Sequence, residues 1–278
     1  AGIVFAIEEL SGSFEQRTSG TLILAIILSG VVVLMIMGHY SFFGHPGGKL
    51  DITTDWVAIG VTGLVCGLFG GIFSRLLIRG SQFLSPFAKA HPYRVVLLCS
   101  LVLVFLGLAT GGATYGSGYE QASILLTGEH PGNWSFALAK MAATLASYFT
   151  GIPGGLFSPS LAAGAGFGNV IGGFFPEVSL VGLTLVAMAA FLAGVIQRPI
   201  TSFVIVMELT GNRHDILLPL MAGAFLAAAV AKLVWARPLY DSLAERMADG
   251  QGMALEKPKP EDRAPETDKT DQERQLPG

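Results

Sequence analysis

Residues 151–172, GIPGGLFSPSLAAGAGFGNVIG, hold the densest chemistry in the sequence. Gly154 and Gly155 let the backbone come close to whatever lies opposite. Phe157-Ser158-Pro159 reads as a helix start, because proline is tolerated in a first turn whose N–H groups have no partner to lose. The unpaired N–H groups of such a start, together with the positive end of the helix dipole, make an anion site that needs no fixed cation. The same glycines and alanines fit a second purpose, a seam along which helices pack closely in lipid. Chemistry alone leaves both readings open.

Other candidate groups point to less. His39, His45, His91, His130 and His214 fall near loops or helix ends, with no i, i+4 pair and no carboxylate cluster, so no metal centre is expected. GSGYE at 116–120 follows no strand and precedes no Lys-Ser/Thr, which makes it a gap-closing loop near the aqueous face and not a phosphate loop. Cys66 and Cys99 sit inside apolar runs without metal-ligand spacing. Glu8, Glu9 and Glu208 are carboxylates in apolar surroundings, where such groups mark ion or proton paths or else cap helix ends. No nucleophile or metal set accompanies them, so an intramembrane enzyme is a weak reading.

The elements that must position these residues are membrane helices. Hydrophobic residues make up 51% of the 278 and charged residues 13%, half the share usual in soluble domains, so water is not the main solvent. A net charge of -3 favours neither nucleic acid nor an anionic membrane surface as partner. Apolar runs of spanning length lie at about 20–38, 56–78, 94–110, 181–196 and 214–235. Between about 111 and 180 the apolar pieces are short and broken by glycine-rich segments. Non-helical backbone at membrane depth is tolerated only where it is buried in protein or lines a cavity, so a cavity is expected there. SFFGHPGGKLDITTD at 41–55 reads as an aqueous loop, and residues 251–278, polar and proline-rich, as a disordered tail.

A repeat runs through this pattern. FAIEELSG at 5–12 matches VIVMELTG at 204–211, with Glu9 aligned to Glu208 and one long apolar helix after each copy. The offset of 199 residues predicts two related halves with a substrate site at their interface. On this reading 1–40 is the end of the first repeat, 41–250 is the second, and the chain, which opens AGIVFAIEEL without a methionine, lacks most of its first half.

GIPGGLFSPSLAAGAGFG closely resembles the GxFxP signature of the CLC chloride channels and chloride/proton exchangers. AGIVFAIEEL, GSGYEQA, AGVIQRPITSFVIVMELTGN and RPLYDSL also resemble segments of that family in the same order, over residues 1–250. The resemblance implies an all-α, polytopic, inverted-repeat fold with broken and tilted helices. It implies chloride as substrate with no cofactor, a central chloride held by the backbone amides of Leu156 and Phe157, and a hydroxyl donated by Tyr240. A tyrosine at a helix start can aim an O–H into a cavity without burying a charge, although the residue fits an interfacial aromatic belt as well. Glu9 matches the acidic residue on the cytoplasmic side of the exchangers' proton path, which favours an antiporter over a channel, whereas Glu8 and Glu208 read as caps or partners of Arg198.

The family's GSGIP and GREGP-like segments are not found, and the repeat offset places their counterparts before residue 1. The alternative is therefore a non-transporting dimerisation module derived from such a protein. The expected partners are chloride, protons, membrane lipid and a second copy of the chain, through segments 1–38 and 199–235. In the latter a small-residue face of Ala222, Gly223, Ala227 and Ala231 permits close approach. A prokaryotic inner membrane and a cytoplasmic C-terminus are what the resemblance and the placement of Arg17, Arg75, Arg79 and Arg237 imply.

Overall fold

The computed structural model describes residues 1–10, 16–38, 42–51, 53–128, 134–152, 154–211 and 214–250. His39 and His130, and the expected tail at 251–278, lie outside the described residues. Every regular element among those described is helical: α1 (Gly2–Leu10), α2 (Gln16–Met37), α3 (Trp56–Ala90), α4 (Pro92–Ala109), α5 (Tyr119–Thr127), α6 (Trp134–Phe149), α7 (Phe157–Gly172), α8 (Leu180–Ile196), α9 (Pro199–Leu209), α10 (Leu217–Val234) and α11 (Leu239–Gly250). The chain divides into a unit at Ala1–Ser242 and a second at Leu243–Gly278, which opens on the end of α11.

Three described helices are long and apolar enough to cross a membrane: α3, α4, and α10 with the 3-10 turn at His214–Ile216 before it. Burial sorts them by environment. In α4 only Val95, Cys99 and Gly107 are buried, and its exposed Leu97, Leu98, Phe105 and Leu108 suit acyl chains. In α8, by contrast, every residue from Gly182 to Ile196 is buried, which makes it the axis of the unit. A helix apolar all round is what such a position needs, since no face meets water.

Glycine lets the neighbouring helices close on that axis. A Cβ on Gly168 of α7 would lie 2.7 Å from Thr184 Cα and 3.0 Å from Leu183 O of α8, and one on Gly164 would lie 2.8 Å from Ala187 O. Gly67 of α3 makes the same approach to α10, where a Cβ would sit 2.6 Å from Ala227 O and 2.7 Å from Ala227 Cα. Ser74 ties α3 to α8 by donating to Val195 O at 2.7 Å, so a polar side chain is satisfied inside the seam.

Two sequence expectations change here. Helix α3 runs to Ala90, well past the apolar run that ends near 78. Arg75 and Arg79 do not stop it, and Arg79 rests over the Trp235 ring at 5.6 Å, where a guanidinium keeps its charge against an aromatic face. At 1.5 Å per residue its 35 residues reach about 52 Å, beyond the roughly 30 Å hydrocarbon core, so the helix tilts or projects.

Three of the four residues in the small-residue face of α10 pack within the chain, and Ala222 is half-buried. Gly223, Ala227 and Ala231 are buried against Val186 of α8 and against Gly67 and Gly71 of α3, and Ala227 is 0% exposed. Helical period puts small residues on one face but does not say which neighbour that face meets. A cysteine at Ala227 is accordingly expected to form no disulfide-linked dimer in oxidised membranes, which gel electrophoresis without reductant would check.

Candidate anion site

The glycine-rich loop after α6 delivers the chain to the start of α7. Leu156 is the N-cap residue, buried, and its carbonyl accepts from Ser160 N at 3.1 Å, the first hydrogen bond of the helix. Pro159 has no N–H, and no side chain caps the helix. Among the described residues, the N–H groups of Leu156, Phe157 and Ser158 meet no acceptor. Among the described residues, three backbone donors and the positive end of the α7 dipole are therefore left without a protein acceptor.

They do so on the wall of a cavity of about 880 Å³. Gly154, Gly155, Leu156, Phe157, Pro159 and Tyr240 all line it, so the geometry gathers residues as far apart in sequence as 154 and 240. A Cβ on Gly154 or Gly155 would meet no atom within 4 Å. The two readings of the motif thus divide along its length. Gly154 and Gly155 face open space, while Gly164 and Gly168 form the helix seam.

Tyr240, the second residue of α11, meets the site through a ring cluster. The Phe157 and Tyr240 centroids lie 6.1 Å apart at 86°, and Phe5 of α1 stands edge-on to both, at 5.5 Å from Phe157 and 6.0 Å from Tyr240. Edge-to-face packing turns the positive ring edges of three aromatics toward one another's faces and fixes the tyrosine's orientation. It also fastens α1, at the start of the chain, to the site.

Two contributors escaped the sequence reading. Phe5 lies in the same FAIEEL segment as Glu9, and one phenylalanine in an apolar run carries no local signal of a site. Lys140 of α6 is 2% exposed and lines the cavity, with Nζ donating to Thr114 O at 3.0 Å and Gly116 O at 2.8 Å. The two carbonyls account for two of the three donors of an ammonium, and the side chain stands in the cavity wall. The signal was available: a single lysine in the apolar run WSFALAKMAATLASYF is the sort of intramembrane ionisable group that marks a site.

Glu8 and Glu9 sit side by side on α1. The Glu8 carboxylate caps α9, accepting from Ile200 N at 3.1 Å and Thr201 N at 2.6 Å, which is a positive helix end meeting a negative group. Glu9 lies on the helix one turn beyond Phe5, and its side chain is outside the described residues. The expected metal-free character of the histidines stands as a sequence expectation; His45, His91 and His214 are not gathered with other ligand types among the described residues.

Glycine-seamed helices and uncapped helix-start amides facing a cavity define a polytopic α-helical membrane unit with a candidate anion site. The family model for the voltage gated chloride channel matches residues 1–232, and the chain belongs to that family. Its fold is similar to a solved structure described as a slow cyanobacterial Cl-/H+ antiporter, with a TM-score of 0.61 at 19% identity, over 90% of this chain and 62% of that one. The chain thus spans about three-fifths of that structure's length.

Proposed function

We propose that this chain forms the chloride-binding part of a chloride transporter, with the anion held by the N–H groups of Leu156 and Phe157 and by the Tyr240 hydroxyl. The observation that carries this reading is the start of α7, where uncapped amides line a cavity that Tyr240 shares. Lys140 adds positive potential from the wall, and Gly154 and Gly155 leave room for the ion. An anion leaving water must find donors to replace its hydration, and the N–H and O–H groups at the start of α7 and at Tyr240 supply them.

Tyr240→Phe in the full-length protein is expected to weaken chloride binding about tenfold, the loss of one hydrogen bond to a charged acceptor. Isothermal titration with chloride would measure it. Unchanged affinity would remove the tyrosine from the site.

The transport mode proposed is chloride/proton exchange. Glu9 is the support, as an intramembrane carboxylate on the helix that also carries Phe5 into the site. Glu9→Gln keeps the shape and hydrogen bonding but cannot carry a proton, so vesicles containing the variant should lose proton flux while chloride flux persists. Proton flux equal to wild type would return Glu9 to a capping role and favour a channel. A homodimer in a prokaryotic inner membrane, with the C-terminus in the cytoplasm, completes the proposal. For the dimer, α2 offers an exposed apolar surface that includes Leu24, Leu28, Val31 and Met35.

A further inference from the structure

The tight turn between α8 and α9 holds a residue in an unusual conformation. Gln197 has φ 57 and ψ 30, the left-handed region, and no other described non-glycine residue has a positive φ. This is the position after a helix where glycine is the usual choice, because a Cβ is disfavoured there. A glutamine kept in that state needs a compensating contact, and strained backbone of this kind tends to occur where it has a purpose.

The contact is plain. Gln197 is 3% exposed, and its Nε2 donates to Trp235 O at 2.6 Å, across from α8 to the end of α10. The carbonyl accepts only, so the amide's orientation follows from its partner. Trp235 is the extended residue that ends α10, and its own N–H is taken by Ala231 O. Its C=O has no continuing helix to accept from, and Gln197 fills that need.

The next residue of the turn grips the other end of the same segment. Arg198 Nη2 reaches both carboxylate oxygens of Asp241 at 3.4 Å. Asp241 is 42% exposed, so this pair is the weaker clamp. Between the two anchors run Ala236, Arg237, Pro238, Leu239 and Tyr240, of which Leu239 is 0% exposed. Glu8 fixes the far side of the turn by capping α9 at Ile200 and Thr201, so the turn is itself held.

We infer that the Gln197-Arg198 turn is a positioning element for the anion site, setting where Tyr240 presents its hydroxyl by clamping the segment from Trp235 to Asp241. The inference rests on Tyr240 belonging to that site. Gln197 touches no anion; it acts through the tyrosine. The ring cluster with Phe5 and Phe157 sets how the tyrosine is tilted, while the clamp sets how far Tyr240 stands from the start of α7.

Gln197→Gly tests this without breaking the turn, because glycine accepts the left-handed backbone while the side chain, and with it the amide bond to Trp235, is lost. With 3-fluorotyrosine placed at 240 in the full-length protein in nanodiscs, the 19F resonance is expected to shift or broaden in Gln197→Gly. Chloride affinity is expected to fall about fivefold, and to fall no further when Gln197→Gly is added to Tyr240→Phe. An unchanged 19F resonance would overturn the inference whatever the affinities. An equal fivefold loss on the Tyr240→Phe background would also overturn it, since the damage would then bypass the tyrosine. A shifted resonance with Tyr240→Phe binding chloride like wild type would uphold the clamp and sink the anion-site reading instead.

Discussion

Gly168→Leu is expected to prevent the Ala1–Ser242 unit from assembling. The Cβ alone would lie 2.7 Å from Thr184 Cα and 3.0 Å from Leu183 O, which are main-chain atoms of a helix buried on every side and have nowhere to go. Overpacking usually costs 1–3 kcal/mol, and a branched side chain driven into backbone belongs at or above roughly 3 kcal/mol. Net stabilities are only about 5–15 kcal/mol, so this is a large share of the whole. Gly155→Ala is the control, because its Cβ meets nothing within 4 Å. Size-exclusion profiles in detergent should show a discrete species for wild type and Gly155→Ala and aggregate for Gly168→Leu. A Gly168→Leu protein that elutes and melts like wild type would show that α7 and α8 do not pack along this seam.

The contrast between these two glycines also shows how far the sequence carries. Residue type told that the 151–172 stretch was special, and the helix opening at Phe157 follows from proline chemistry. Which glycine meets a neighbouring backbone and which meets a void depends on where α8 lies, and no local pattern holds that information. The same gap explains α10. Its small residues were visible as a face, but α3 places Gly67 against it from about 160 residues away in sequence.

Proline stands at the first residue of α4 and of α9, and a left-handed glycine, Gly128, follows α5, positions where residue type alone can mark a helix end. The end of α3 was not legible near 78, because a charge such as Arg79 ends an apolar run without ending a helix when an aromatic ring receives it. Lys140 was passed over because hydropathy averages one lysine away, while its satisfaction by two loop carbonyls is a tertiary fact.

Replacing the Leu156–Phe157 peptide bond by an ester is expected to have the largest effect on binding. The exchange deletes one N–H and keeps every side chain. Hydrogen bonds to charged groups contribute about 1.5–3 kcal/mol, which corresponds to a loss of about 10- to 150-fold in chloride affinity. No side chain at the start of α7 accepts from these amides, so they are left to face the cavity. Calorimetric titration of the semisynthetic protein against chloride would read the change directly. An affinity within twofold of the all-amide protein would mean that the α7 amides are not what holds the anion.

The most direct measurement is the position of the ion. Crystals of the full-length protein grown in bromide, with data collected at the bromine absorption edge, should show an anomalous peak within hydrogen-bonding reach of the Leu156 and Phe157 N–H groups and of the Tyr240 hydroxyl. The peak should fade on competition with chloride. A protein that moves chloride in vesicles yet shows its bromide peaks elsewhere, with none at the start of α7, would contradict the account.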